Sequence, residues 1–268
     1  MDTQNFNVAL NLDYPESDSR YINLGQVYRK QTMGENFWLD VLSGMAKQLM
    51  EITNEMPESL EADDVSKMLH NEYRFEPLLG LASILEKPHL VPFYGETVII
   101  NGVACAGISK LSEQLLDILR REKILDPVPY TKVPGNLSID NMEFDLQEKE
   151  VHLIGRKRLR PIGDLKHDLA RFSFSLEGGF QALRMKLDGT NGFSIKGYES
   201  NQKRMVKSMF KRWLQRLNPD LVRQIPLIIA LDCFVAIRSG GFTPLEQQSI
   251  LARAIYGMHE YTNDRLFK

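Results

Sequence analysis

Residues 171–198 read RFSFSLEGGFQALRMKLDGTNGFSIKGY. Apolar side chains alternate with polar ones in three runs: Phe172, Phe174 and Leu176, then Leu183, Met185 and Leu187, then Phe193 and Ile195. A period of two places one set of side chains on a single face of a pleated strand. Gly178-Gly179 and the run Asp188–Gly192 stand between the strands and supply turn residues. The stretch therefore predicts a three-stranded antiparallel meander. Helical patterns flank it on both sides, and the order helices, sheet, helices indicates an α+β fold.

Upstream, NMEFDLQ (141–147) and VHLIG (151–155) form a predicted hairpin that turns at Glu148-Lys149. TVIINGVACAG (97–107) is a second one, because Asn101-Gly102 tolerates the positive φ angles of a tight turn. Helices are expected from Glu35, where Phe37, Val41, Leu42, Met45, Leu49 and Ile52 share one face, from Ser59 with its acidic first turn, over Pro77–Lys87, and over Ser109–Lys123. Residues 1–31 carry turn formers without a period and read as an extended arm with one short strand. Downstream, three helices complete the chain: Asn201–Leu217, one opening at Asn218-Pro219, and one opening at Thr243-Pro244 with Glu246 in capping-box position. The segment DPVPYTKVPGN (126–136) holds prolines at 127, 129 and 134, which resist helix and sheet, and marks a linker. The chain thus divides into an acidic helical region with a short hairpin (1–125), the linker (126–136), and a basic β-meander with three C-terminal helices (137–268).

Charge is polarised along the chain. Residues 1–150 hold 13 Lys+Arg against 25 Asp+Glu, and residues 151–217 hold 15 against 5. Such a chain can meet a polyanion with its basic segment, or another copy of itself with opposite ends in contact. The basic charge concentrates in KRMVKSMFKRWLQRL (203–217). Val206, Met209, Phe210, Trp213, Leu214 and Leu217 fall on one helical stripe, while Lys203, Arg204, Lys207, Lys211, Arg212 and Arg216 occupy the rest, with no acid among them. Like charges four residues apart repel, a cost that suggests an anionic partner. A second cluster, Arg156, Lys157, Arg158 and Arg160, is expected in the loop after the 141–155 hairpin.

Other chemistry is thinly represented. Lys186-Leu187-Asp188-Gly189 resembles the nucleotide-accepting lysine motif of covalent nucleotidyltransferases such as polynucleotide ligases and capping enzymes, in which the lysine amine attacks an α-phosphate. That resemblance implies further acidic and lysine motifs on downstream strands, and the sequence after Lys186 is helical in pattern and lacks them. The bland reading makes Lys186 the exposed neighbour of Met185 and Leu187 on an alternating strand. His70, His89, His152, His167 and His259 have no zinc-site spacing, and the phosphate-loop, dinucleotide and nucleophile-elbow glycine motifs do not occur, so no cofactor is expected. His167-Asp168 reads as a solvated loop pair. Asp232, inside the apolar run Ile225–Ile237, needs a partner, and Arg238 or Arg253 is expected to provide it.

Cys105 and Cys233 sit among apolar neighbours without a disulfide pattern, which suggests a reducing, cytoplasmic or nuclear setting. The N-terminus has no signal-peptide pattern, and the longest apolar run is short of the roughly 20 residues that span a bilayer. The expectation is a non-enzymatic nucleic-acid-binding or self-assembling protein, nucleocapsid- or matrix-like, with a salt-sensitive homo-oligomer as one form. The alternatives are a nucleotidyltransferase using Lys186 and a protein–protein interaction module.

Overall fold

The computed structural model describes residues 19–31, 33–54, 62–121, 133–135, 137–154, 163–182, 185–188, 192–195, 200–239 and 241–263. A strand β1 (Tyr21–Asn23) leads into a helix α1 (Leu24–Lys30) that the sequence reading did not anticipate. The Asn23 side chain caps it by accepting from the Gln26 amide, and Gln31 closes it with φ 59°. Helix α2 (Glu35–Asn54) buries the stripe from Phe37 to Ile52, with Trp38 added. Helix α3 (Ala62–His70) continues through a π turn, Asn71–Phe75, into α4 (Glu76–Ile84), so the two expected helices are one path. Pro77 has no N–H to offer Tyr73, and the ladder widens there: the Glu76 amide bonds to Asn71. Gly80 lets α4 approach the backbone at Phe234, whose carbonyl oxygen would lie 2.1 Å from any added Cβ.

Strands β2 (Thr97–Ile100) and β3 (Val103–Ala106) form the expected hairpin, with φ 53° at Asn101 and 76° at Gly102. Helix α5 (Ile108–Arg121) follows, buried on its Leu111, Leu115, Ile118 and Leu119 face. Strands β4 (Met142–Asp145) and β5 (Glu150–Leu153) form the second hairpin, and β1 adds to it antiparallel, Ile22 opposite Phe144.

The 171–198 stretch departs from expectation at its start. Arg171–Leu176 is the second half of a helix, α6 (Leu165–Leu176), capped by Asp164, whose side chain accepts from the Lys166 amide. The alternation arises from enclosure. Phe172 packs edge-on against Phe210, Phe174 against Phe180, and the helix touches two further helices, so apolar residues are needed at several phases around its axis. Leu165, Leu169, Phe172 and Leu176, spaced by four, three and four, carry the helical signal that the alternation hid. Gly178 and Gly179 take φ 97° and 59°, ending α6 and opening the short helix α7 (Gly179–Ala182) instead of making a hairpin turn. The remaining two runs do pair: β6 (Met185–Asp188) lies antiparallel to β7 (Gly192–Ile195). There is no single central sheet. One sheet has the order β1-β4-β5; the other, β3-β2-β7-β6, is two hairpins joined by a parallel contact of Ile100 with Phe193. Asn101 secures that junction, its side chain accepting from the Ile195 amide at 2.8 Å. A lone hairpin is marginal in water, and pairing gives each a wider sheet.

Helices α8 (Asn201–Leu217), α9 (Pro219–Arg238) and α10 (Pro244–Asn263) close the fold as expected. Asn218 caps α9, and Thr243 with Glu246 forms the reciprocal box at α10. The apolar run Ile225–Ile237 lies inside α9, against α4, α6 and α10. Helices with two small sheets make this an α+β protein, and one buried cluster runs from Ile22 to Tyr261. Of the expected linker, 126–132 and 136 lie outside the described residues; Val133 is buried and the Gly135 amide bonds to Asp168. Cys105 and Cys233 are both free and buried, the Cys105 thiol pushed up to about 11 chiefly by burial. No helix among the described residues is long and apolar enough to cross a membrane.

Candidate functional site

The interior holds a polar cluster around α6. His167 Nε2 lies 2.6 Å from Asp232 Oδ1, and Arg171 Nε reaches the other oxygen at 3.5 Å. Arg171 also donates to the Gly135 carbonyl at 2.9 Å. Asp232 therefore finds its partners on α6. Arg238 pairs with Glu76, and Arg253 with Glu177 and Glu260, so neither serves Asp232 as expected. Burial works to lower the His167 pKa, but the Asp232 charge and hydrogen bond outweigh it and hold it above the usual histidine value. Burial likewise works to raise Asp232, and His167 with Arg171 holds it below the usual carboxylate range. Asp168 makes bonds different from those of His167, accepting from the Gly135 and Leu137 amides at 2.7 and 3.2 Å. Tyr73 donates to Asp164 at 2.8 Å.

The pair His167-Asp168 is thus no solvated loop; both side chains are fixed inside, in different bonds. Glu72, Gly135, Asp164, His167, Asp168 and Arg171 surround a void of about 10 Å³. That is room for about one water, not for a substrate. The cluster ties α6 to α9 and to the backbone of Gly135 and Leu137. Among the described residues no group of three or more His, Cys, Asp or Glu side chains could hold a metal ion.

The second arrangement lies on α8. Ser200 caps the helix, its hydroxyl accepting from the Lys203 amide at 3.2 Å. Val206, Met209, Phe210 and Leu214 are buried; Trp213 is half-buried, stacked on Phe210 at 5.5 Å. Leu217, expected on the stripe, is 55% exposed because the helix ends there and its packing partners run out. The opposite arc is in water. At 100° per residue, Lys211, Arg204, Gln215, Ser208, Asn201, Arg212 and Arg216 fall within roughly 140°, and each is exposed, with the half-buried Met205 between Arg212 and Arg216. Among the described residues none of Arg204, Lys211, Arg212 and Arg216 enters a salt bridge; Arg204 bonds only to Asn201, at 2.6 Å. Lys203 and Lys207 flank the arc half-buried, Lys203 with its Nζ 5.6 Å from the Tyr28 ring centre. Arg156, Lys157, Arg158 and Arg160 lie outside the described residues.

A cleft of about 290 Å³, which sequence reading missed, opens beside this arc between α6, α8, α9 and α10. Its floor includes Leu176, Phe210, Ile225 and Ile229, and Lys207 and Lys211 stand on its α8 side. Arg253, on the α10 side, gives Nε and one terminal nitrogen to the two oxygens of Glu177 at 2.9 and 3.1 Å, and its other terminal nitrogen to Glu260 at 3.3 Å. Burial opposes these charges, yet Arg253 keeps Glu177 below the usual carboxylate range. Glu260 is shifted the other way, upward, because burial there exceeds what Arg253 returns. Chain segments far apart in sequence build this cleft, and only the lysines on α8 carried a signal that could have pointed to it.

Lys186 is on β6, opposite Ser194 of β7. Beyond β7 the described residues form α8, α9 and α10, and no strand among them carries the downstream motifs that the nucleotidyltransferase resemblance implied. Compared with known proteins, the chain matches no family model and no curated relative.

Proposed function

We propose that the protein binds nucleic acid through phosphate contacts along the outer face of α8, without chemical turnover. One observation carries this reading: four exposed cations, Arg204, Lys211, Arg212 and Arg216, share an arc on a helix of 17 residues that contains no acid and is anchored by its other face. A solvated helix face ordinarily mixes signs so that neighbours four apart attract. Here Arg212 and Arg216 are four apart with like charge, and phosphates between them would relieve the repulsion. From Arg204 to Arg216 the helix rises roughly 18 Å, a span comparable to about five phosphates along one strand of a duplex. Head-to-tail contact between copies, acidic N-terminal region to basic arc, is part of the same reading and competes for the same cations.

The magnitude follows from counterion release. Four neutralised phosphates give a slope of log affinity on log salt of about 3.6 for duplex DNA and about 2.8 for a single strand. Between about 50 and 200 mM salt, affinity then falls on the order of 100-fold. Fluorescence anisotropy with several unrelated sequences tests the assignment. Arg204→Ala with Lys211→Ala is expected to weaken binding to all of them alike and to lower the duplex slope by about 1.8. Unchanged affinity and slope in that variant would leave α8 merely a wetted surface.

A further inference from the structure

We propose that the cleft between α6, α8, α9 and α10 receives one base of a single-stranded nucleic acid whose phosphates lie along α8. The inference rests on the reading of α8 as a phosphate-binding face. Position is the first argument. Lys211 belongs both to the exposed arc and to the wall of the cleft, so a strand held on the arc passes the opening. Size is the second. A volume of about 290 Å³ sits at the lower end of small-molecule pockets. One flat ring system fits in such a space, whereas a duplex, whose bases stay stacked within the helix, offers nothing that can enter.

The lining supplies the third argument. Phe210, Leu176, Ile225 and Ile229 give the apolar floor that a base needs when it leaves its stack. Polar chemistry is present at the side. Glu260 commits one oxygen to Arg253, and its other oxygen has no hydrogen bond among the described residues. A carboxylate oxygen only accepts, and each nucleobase presents N–H donors on its Watson–Crick edge, the edge read in unpaired strands.

The strand and the duplex of one mixed sequence separate this proposal from the one beneath it. Wild-type full-length protein is expected to bind the single strand more tightly than the duplex at low salt. Ser173→Trp places a large ring in the cleft from the α6 side, away from the arc, and is expected to reduce that preference about tenfold, the size of one base contact. Glu260→Gln, at a half-exposed position, provides a second variant that alters one carboxylate only, with a smaller loss in the same direction. A strand carrying 2-aminopurine should change its emission on saturating the wild type, which needs no variant at all. Single-strand affinity unchanged in both variants, or unchanged 2-aminopurine emission, overturns the cleft while leaving phosphate binding by α8 in place. A nucleoside monophosphate that competes as well as an unlabelled strand reassigns the cleft to free nucleotide and overturns the strand. Absence of any nucleic-acid binding by the wild type at low salt removes the α8 reading and this one with it.

Discussion

Two sets of charges in this molecule behave in opposite ways. Around α6 and in the wall of the cleft, His167, Asp232, Arg171, Asp168, Glu177 and Arg253 are enclosed or half-enclosed, and each is held by a partner at 3.5 Å or less. Along α8, Arg204, Lys211, Arg212 and Arg216 are in water and out of salt bridges among the described residues. The first set is consumed by the fold. A buried charge that loses its partner is expensive, so each must be satisfied internally. The second set contributes little to stability and is left over for something else. The contrast separates residues whose loss should unfold the protein from residues whose loss should change only what it binds.

The largest effect is expected at Arg253. Replacing it with methionine fills the volume but leaves the partly buried Glu177 and Glu260 in the cleft wall without their cation. Urea denaturation should report a loss of about 3–5 kcal/mol. A loss below about 1 kcal/mol would mean that the two carboxylates simply take up protons or water, and that the interior set is not structural in this sense.

His167→Ala is expected to cost about 3 kcal/mol near pH 6, somewhat less than Arg253 because Arg171 still faces Asp232. The pH dependence has a definite sign. The folded pKa of His167 lies above its unfolded value near 6.5. Its contribution is therefore complete below about pH 6.5 and disappears as pH rises through the higher folded value. Asp232 is depressed when folded, so its contribution is present above about pH 4 and disappears as pH falls through the lower folded value. The stability gap between wild type and His167→Ala should be widest between these limits and narrow on the alkaline side. A gap that widens with rising pH would show the imidazole to be neutral in the folded protein.

Trp213→Ala sharpens the boundary between the sets, because this residue sits where the buried stripe of α8 meets water. A fully buried aromatic costs about 3–5 kcal/mol on truncation. Half-buried and stacked on Phe210, Trp213 should cost about 2 kcal/mol. A smaller cost, within about 0.5 kcal/mol, would place the indole on the surface and widen the exposed arc.

How far the sequence carried depended on how many neighbours each element has. Helices α2, α5 and α8 each bury one face, and their stripes were legible as a period of three to four. The caps of α9 and α10 were equally plain, since Asn218-Pro219 and Thr243 with Glu246 act locally. Helix α6 was misread because neighbours surround it, and the apolar residues that they require at several phases imitate a strand. That error propagated. With Arg171 assigned to a strand and His167 to a loop, Asp232 was matched to arginines near it in sequence, although the need for a partner was correctly seen. Helix α1 is seven residues long and has too few turns to show a period. The π turn was missed because Pro77 reads as a helix start, whereas here it only widens a continuing ladder. Of the candidate site, the cations of α8 were legible, and the cleft was not, since its walls come from residues 173–177, 207–214, 222–229 and 253–260 and meet only in the fold.

Contact between phosphates and the leftover charges of α8, as proposed above, is read from the salt dependence of binding. Wild-type protein should bind mixed-sequence duplex DNA with a slope of log affinity on log salt approaching about 3.6, and Arg212→Ala with Arg216→Ala should lower it by about 1.8 while changing stability by no more than about 0.5 kcal/mol. A wild type that binds no nucleic acid at about 50 mM salt, or one whose slope is unaffected when both arginines are removed, would rule out phosphate contact by α8.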